Sequence, residues 1–366
     1  MLLEAAPRQL ASDTEPSARA TGTHVPALDG WRGIAILMVL CAHGLHTDRF
    51  LIFDPGSTGV EFFMILSGYL ITTRLLTTYR DETGIAFSGF YLRRAFRILP
   101  PAFLYLAVLV VLSAFVPRIR TSRLEIIASL FFWRNYALVP GWFTGHFWSL
   151  AVEEHFYLLW PVILHIAGRK RSLQVALSGA AVCAFWRWFG WTHAKAVSFS
   201  YVLDHVPYFF RTDTRVDALL IGCAVAIALS RSDWESTLRR CIRPGAAFVV
   251  VFILGAMWLA AGPWFSGVKE ELVAAVLLTI ILLHPATELA RVFSWAPLRA
   301  VGALSYSLYI WQQLFLTPDD MGWWTRFPAS LLLLAAVAAG SYFLIEKPAI
   351  AWGARLAARG PAGISA

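Results

Sequence analysis

Apolar runs of about 20 residues, the length that crosses a bilayer as a helix, recur at 27–46, 58–78, 99–117, 146–167, 172–190, 213–230, 244–261, 270–287, 299–317 and 328–346. The pattern predicts an all-α, polytopic membrane bundle of ten helices. One further stretch, 124–139, is shorter and holds Arg134 and Asn135 mid-run, which reads as a re-entrant or interfacial helix. Residues 1–26 are polar, include Glu4, Asp13 and Glu15, and have no apolar core ahead of a cleavage site, so they read as a disordered cytoplasmic tail rather than a signal peptide. The membrane domain then covers 27–347, and 348–366 is a short basic cytoplasmic tail.

Of 366 residues, 58% are hydrophobic and 15% charged, too apolar for a soluble domain; the bilayer is the solvent. The net charge of +8 falls in alternate loops. Arg74, Arg80, Arg93, Arg94 and Arg97 follow the second helix, Arg169, Lys170 and Arg171 the fourth, and Arg231, Arg239, Arg240 and Arg243 the sixth. Arg291 and Arg299, then Lys347, Arg355 and Arg359, continue the series, which puts both termini on the cytoplasmic side of an inner or plasma membrane. Arg118, Arg120 and Arg123 are an exception, placed outside. This distribution argues for membrane lipids and against nucleic acid as partners. Cys41, Cys183, Cys223 and Cys241 lack metal or CxxC spacing, so neither a disulfide framework nor a metal site is expected. Eight tryptophans (Trp142, Trp148, Trp186, Trp188, Trp191, Trp264, Trp323, Trp324) fall at the outer face, where most read as an interfacial belt.

Polar residues inside the spans are the candidates for chemistry, because each is costly in hydrocarbon. Arg32 and His43 lie eleven residues apart in the first helix, about 16 Å along its axis and on one face. That spacing suits a long substrate, anionic at one end and reactive at the other, such as acyl-coenzyme A; a snorkelling arginine and a packed histidine are the alternative. Glu61 begins the second helix at the depth of His43, able either to orient the imidazole or to face headgroups. In the fourth helix Ser149, Glu153 and Tyr157 recur at i, i+4 and i+8, and the adjacent Glu153 and Glu154 require pairing, neutralisation or a wet cavity. Arg93, Arg94 and Arg97 form a cluster suited to phosphates, or to anionic lipid. Arg211, Asp213, Arg215 and Asp217, with Ser305, Tyr306, Ser307, Tyr309 and Gln312, fit interhelical pairing or the wall of the same cavity.

In order, these segments resemble the acyltransferase 3 family of multi-pass membrane O-acyltransferases. The resemblance rests on Leu28-Asp-Gly-Trp-Arg-Gly33 with the Arg32/His43 pair, Phe62 to Tyr69, Leu92 to Pro100, Trp148 to Tyr157, Arg215 to Leu219, Gly302 to Trp311, and Glu346-Lys347-Pro348. Gln312 stands where many members have a histidine, which leaves His43 as the principal base. The expectation is a stand-alone module, without the extracytoplasmic hydrolase-like domain that some members carry C-terminally.

It implies transfer of an acyl group, acetyl in the first instance, from acyl-CoA (acetyl-CoA) to a hydroxyl of a carbohydrate or glycoconjugate, without a metal. On this reading Arg32, Arg93, Arg94 and Arg97 hold the donor phosphates and His43 is the general base. Glu153 or Glu61 orients the imidazole, and Tyr157, Asp217, Arg215, Ser305 and Tyr309 meet the acceptor. A covalent route through an acylated His43 stays open. A small-molecule acceptor such as a macrolide is the second substrate class, and a transporter the non-enzymatic one, although no inverted repeat supports it. The expected passage is one water-lined cavity from the arginines to an imidazole beside carboxylates.

Overall fold

The computed structural model describes residues 24–45, 54–79, 87–137, 141–193, 210–242 and 267–359. Helix starts follow local chemistry. Asp54 caps α2 (Pro55–Thr78) by accepting the Gly56 N–H at 2.9 Å, with proline in the first helical position where no donor is needed. Ser122 and Glu125 exchange side-chain-to-backbone bonds of 3.1 Å each at the start of α4 (Arg123–Leu130), a reciprocal capping box.

Before and between them run α1 (Pro26–Leu45) and α3 (Phe87–Phe115). A single turn, α5 (Trp142–Gly145), leads into α6 (Phe147–His193), which breaks at Gly168, where φ is 64°. The two runs on either side correspond to the spans expected at 146–167 and 172–190. Then come α7 (Asp217–Leu229), α8 (Ser232–Cys241), α9 (Val268–Leu283), α10 (Glu288–Phe293), α11 (Ala296–Ala303) and α12 (Ser305–Phe315). The chain closes with α13 (Ala329–Ser341), a π-helical turn Tyr342–Glu346, and α14 (Lys347–Ala358). Pro348, lacking an N–H, cannot bond back to residue 344, which accounts for the loosened turn before it.

All described residues are helix, turn or loop, with no strand among them. Among the described residues, four helical stretches are long and apolar enough to cross a membrane: Pro55–Thr78, Phe87–Phe115, Trp142–Gly190 and Ala329–Ala358. The count of ten spans is thus not reproduced by length and hydropathy. The first helix forms over Pro26–Leu45 but is not among these four. The run at 299–317 is split into α11 and α12 at Leu304, α7 is only 13 residues, and 244–261 lies outside the described residues. The 124–139 segment holds an eight-residue helix, about 12 Å long and too short to cross. The stretch expected as a basic tail starts as α14, which packs on α3.

Backbone meets backbone along two seams. A Cβ on Gly30 would fall 1.7 Å from the Phe293 carbonyl oxygen, one on Gly33 2.2 Å from that of Leu298, and one on Gly302 1.8 Å from that of Asp29. Likewise a Cβ on Gly68 would lie 2.0 Å from the Leu219 oxygen and one on Gly222 2.1 Å from that of Ile65. Only glycine permits such approach. Trp31, fully buried, locks α1 to α2 by donating its indole N–H to the Phe62 carbonyl at 2.8 Å and stacking on that ring at 4.5 Å.

Outside the spans, Arg118 donates to the Asp320 carbonyl at 2.8 Å, and Arg326 grips the Asp320 carboxylate, holding that carboxyl below its usual range. Arg118, an exception to the loop-charge rule, is here a loop clasp.

Candidate active site

The seams fix the depth of Arg32 on α1 and of Ser67 on α2, and both line a cavity of about 650 Å³. Arg94 and Arg97 of α3, Ser149 and Glu153 of α6, and Ser305, Tyr306 and Tyr309 of α12 complete its polar wall, and Val60, Phe63, Ile98 and Leu150 supply the apolar part. Tyr306 donates to the Ile98 carbonyl at 2.7 Å, beside Pro100 and Pro101, where the α3 ladder is interrupted. The three guanidiniums are not equivalent. Arg94 stacks on the Tyr157 ring, 3.6 Å from its centroid, and bonds Glu153 at 3.4 Å, while the Tyr157 hydroxyl donates to the same carboxylate. Among the described residues Arg32 pairs with Asp29 alone, at 3.8 Å. Arg97 makes no hydrogen bond or ion pair among the described residues, and the buried Glu346, held by Ser307 at 2.8 Å, is within its electrostatic reach. The cavity therefore has space and cationic capacity not cancelled by its own wall.

One end of that wall is a polar seam. Tyr309 and Ser149 hydroxyls meet at 2.5 Å, one donating to the other, and both lie within hydrogen-bond distance of the His146 carbonyl, at 3.1 and 3.2 Å. Further along α12, Gln313 accepts the His146 backbone N–H at 3.2 Å and its Nδ1 at 2.6 Å, and Gln312 Oε1 lies 3.1 Å from His43 Nδ1. Trp142 meets the His43 ring edge-on at 5.5 Å and donates its indole N–H to the Gln313 carbonyl at 2.8 Å. His43 is half-buried and not on the cavity wall.

Comparison with known proteins decides the family. The sequence profile described as "acyltransferase domain" (acyltransferase 3) matches residues 25–346. The chain belongs to this acyltransferase family. It is 30% identical over 365 residues to the putative peptidoglycan O-acetyltransferase YrhL of Bacillus subtilis (strain 168), covering 89% of this chain and 55% of that protein. It is 29% identical over 334 residues to the peptidoglycan O-acetyltransferase OatA of Listeria monocytogenes (82% and 51% covered). The match to the putative O-acetyltransferase SACOL0978 of Staphylococcus aureus (strain COL) is 30% over 314 residues (79% and 50%). The chain spans about half the length of these relatives. No solved structure matches it significantly.

The acyltransferase motifs read in the sequence separate into two places. Arg32, Arg94, Arg97, Glu153, Ser305 and Tyr309 come together at the cavity, with Tyr157 packed beneath Arg94. Arg93 lies off the wall, within electrostatic reach of Arg74. Glu61, Arg215 and Asp217 belong to a second buried cluster. Arg215 bonds Glu61 at 3.0 Å and Ser57 at 3.2 Å, and Arg187 bonds Asp217 at 2.8 Å and Glu271 at 3.5 Å. Glu61 and Glu153, the two carboxylates expected beside His43, are engaged by arginines instead, and none of the Glu61, Arg215 and Asp217 group lines the cavity.

Neither His146 nor Gln313 is a candidate on sequence grounds; Ser67 and Glu346 enter there as motif positions, and Tyr306 and Gln312 as polar residues of a span, without the partners found here. Their signal was present: 305, 309, 312 and 313 fall on one helical face. Of the tryptophans expected in the outer belt, Trp142 and Trp186 spend their indole N–H groups on Gln313 and Asp213 inside the protein, while Trp188 and Trp323 are exposed. No group of three or more His, Cys, Asp or Glu residues with metal-binding geometry occurs among the described residues.

Proposed function

We propose that this protein is a multi-pass membrane O-acyltransferase that moves an acyl group, acetyl in the first instance, from acyl-CoA to a hydroxyl of a carbohydrate or glycoconjugate. The observation carrying this reading is the arginine-lined cavity, whose Arg97 makes no hydrogen bond or ion pair among the described residues, in a chain of an acyltransferase family. Diphosphate and 3′-phosphate groups of a coenzyme are the ligands that two under-neutralised guanidiniums fit best. Arg32 and Arg97 would bind them directly, with Arg93 and Arg94 supplying field. The loop charges support a ten-span topology with cytoplasmic termini, which opens the arginine end to a cytosolic donor.

The acyl end would then lie toward Tyr309. His43 faces the next turn of the same helix, about 5 Å further along its axis. As general base His43 removes the proton of the acceptor hydroxyl; the oxygen attacks the thioester carbonyl, the carbon–sulfur bond breaks, and the proton passes to the departing thiolate. Peptidoglycan, named for two of the relatives, supports a polysaccharide acceptor.

The test is acetyl transfer from labelled acetyl-CoA to lysozyme-released peptidoglycan fragments by protein reconstituted in lipid vesicles. His43→Ala should accumulate normally in the membrane and lose activity by about 10²–10⁴-fold, the range for a positioned general base. Activity near wild type in that variant would overturn the assignment.

A further inference from the structure

Gln312 is fully buried, and its carbonyl oxygen sits on His43 Nδ1 at 3.1 Å across 269 residues of sequence. Its amide nitrogen is buried with no hydrogen-bond partner among the described residues. An unpaired buried amide donor costs free energy that an apolar side chain of like volume would avoid. Packing alone therefore does not account for a glutamine at this position.

What the glutamine supplies is an acceptor. An amide oxygen can only accept, so the contact assigns the His43 proton to Nδ1 and leaves the lone pair on Nε2. The arrangement is pinned from behind. Gln313 takes both the backbone N–H and Nδ1 of His146, at 3.2 and 2.6 Å, and its own carbonyl takes the Trp142 indole N–H at 2.8 Å. A backbone N–H can only donate, so the Gln313 carbonyl must face His146, and this end of α12 is tied to the segment that carries Trp142. Trp142 in turn meets His43 edge-on, so the ring is held from two directions.

We infer that Gln312 is the positioning residue of His43, selecting the tautomer whose Nε2 accepts the proton of the acceptor hydroxyl, a role that rests on His43 being the general base proposed above. A neutral amide thus takes the place a carboxylate fills in hydrolytic triads. Glu61 and Glu153 do not compete for it, since both are held by arginines.

The test compares Gln312→Met and Gln312→Glu in the labelled acetyl-CoA assay, with His43→Ala alongside and Gln312→Leu as a second apolar variant should Met fail to accumulate. Loss of the acceptor should lower kcat at least about 10-fold while the KM for acetyl-CoA stays within about twofold, because the defect lies in the base and not in donor binding. Glutamate restores an acceptor for Nδ1–H, so kcat should rank Gln312→Glu above Gln312→Met. A merely structural amide gives the reverse order, since a buried carboxylate destabilises more than a thioether. An apolar variant within about threefold of wild type, or Glu ranking below Met, overturns the role of Gln312 and leaves His43 standing if His43→Ala is inactive. An active His43→Ala overturns the general-base reading itself, and this inference with it.

Discussion

The protein buries two charged clusters, and they are built on opposite principles. Three carboxylates (Glu61, Asp217, Glu271) meet two guanidiniums (Arg187, Arg215) in the first, which joins α2, α6, α7 and α9 by contacts of 2.8–3.5 Å. In the second, three guanidiniums and one carboxylate line a cavity of about 650 Å³, and Arg97 makes no hydrogen bond or ion pair among the described residues. Burial of charge is common to both, so burial is not what marks a binding site. Space next to unmatched charge is what sets the second apart, whereas the first consumes its charges in holding helices together.

The contrast can be broken by substitution. Arg215→Met strands Glu61 in the interior and should destabilise the fold by about 3–5 kcal/mol, the cost of leaving one partner of a buried pair. This would be read as lost membrane accumulation and a lowered unfolding temperature; the double variant with Glu61→Gln should recover much of it. Any protein that survives should show an unchanged KM for acetyl-CoA. Arg97→Met should do the opposite, leaving accumulation intact while raising that KM by about 10–100-fold, the equivalent of about 1.5–3 kcal/mol for a charge-assisted hydrogen bond. If instead Arg97→Met fails to fold and Arg215→Met only weakens donor use, the division between the clusters is wrong. Smallest is the effect of Gly68→Ala, whose methyl would press on the Leu219 carbonyl; about 1–3 kcal/mol of destabilisation is expected, seen as a lowered unfolding temperature.

The parts of this arrangement legible in the sequence were those with a local cause. Apolar run length located the helices, and i, i+4 spacing drew attention to Arg93/Arg97 and to Ser149, Glu153 and Tyr157. Arg32 stood out by its spacing from His43, and Arg94 and Arg97 within a cluster with Arg93; the cavity wall holds the first three and not Arg93. Partner choice was not legible. Glu61 finds Arg215 across 154 residues, and His43 finds Gln312 across 269; no spacing rule reaches that far. Gln312 was legible as a polar residue of an apolar span, but nothing in the spacing names His43 as the partner that a buried amide requires. Span counting failed where apolar runs are interrupted in three dimensions: the run at 299–317 divides into α11 and α12 at Leu304, and α7 is only 13 residues long.

The glycine seam between α1 and its neighbours α10 and α11 bears on how a substrate gets in. With carbonyl oxygens 1.7–2.2 Å from where side-chain atoms would begin, α1 is keyed into its neighbours and has no freedom to slide along its axis. Arg32 and His43 therefore keep a constant separation, like marks on a ruler. Whatever gives way to admit a ligand must lie on the other walls, and the proline-interrupted α3, bearing Arg94 and Arg97, is the wall with the weakest internal scaffolding.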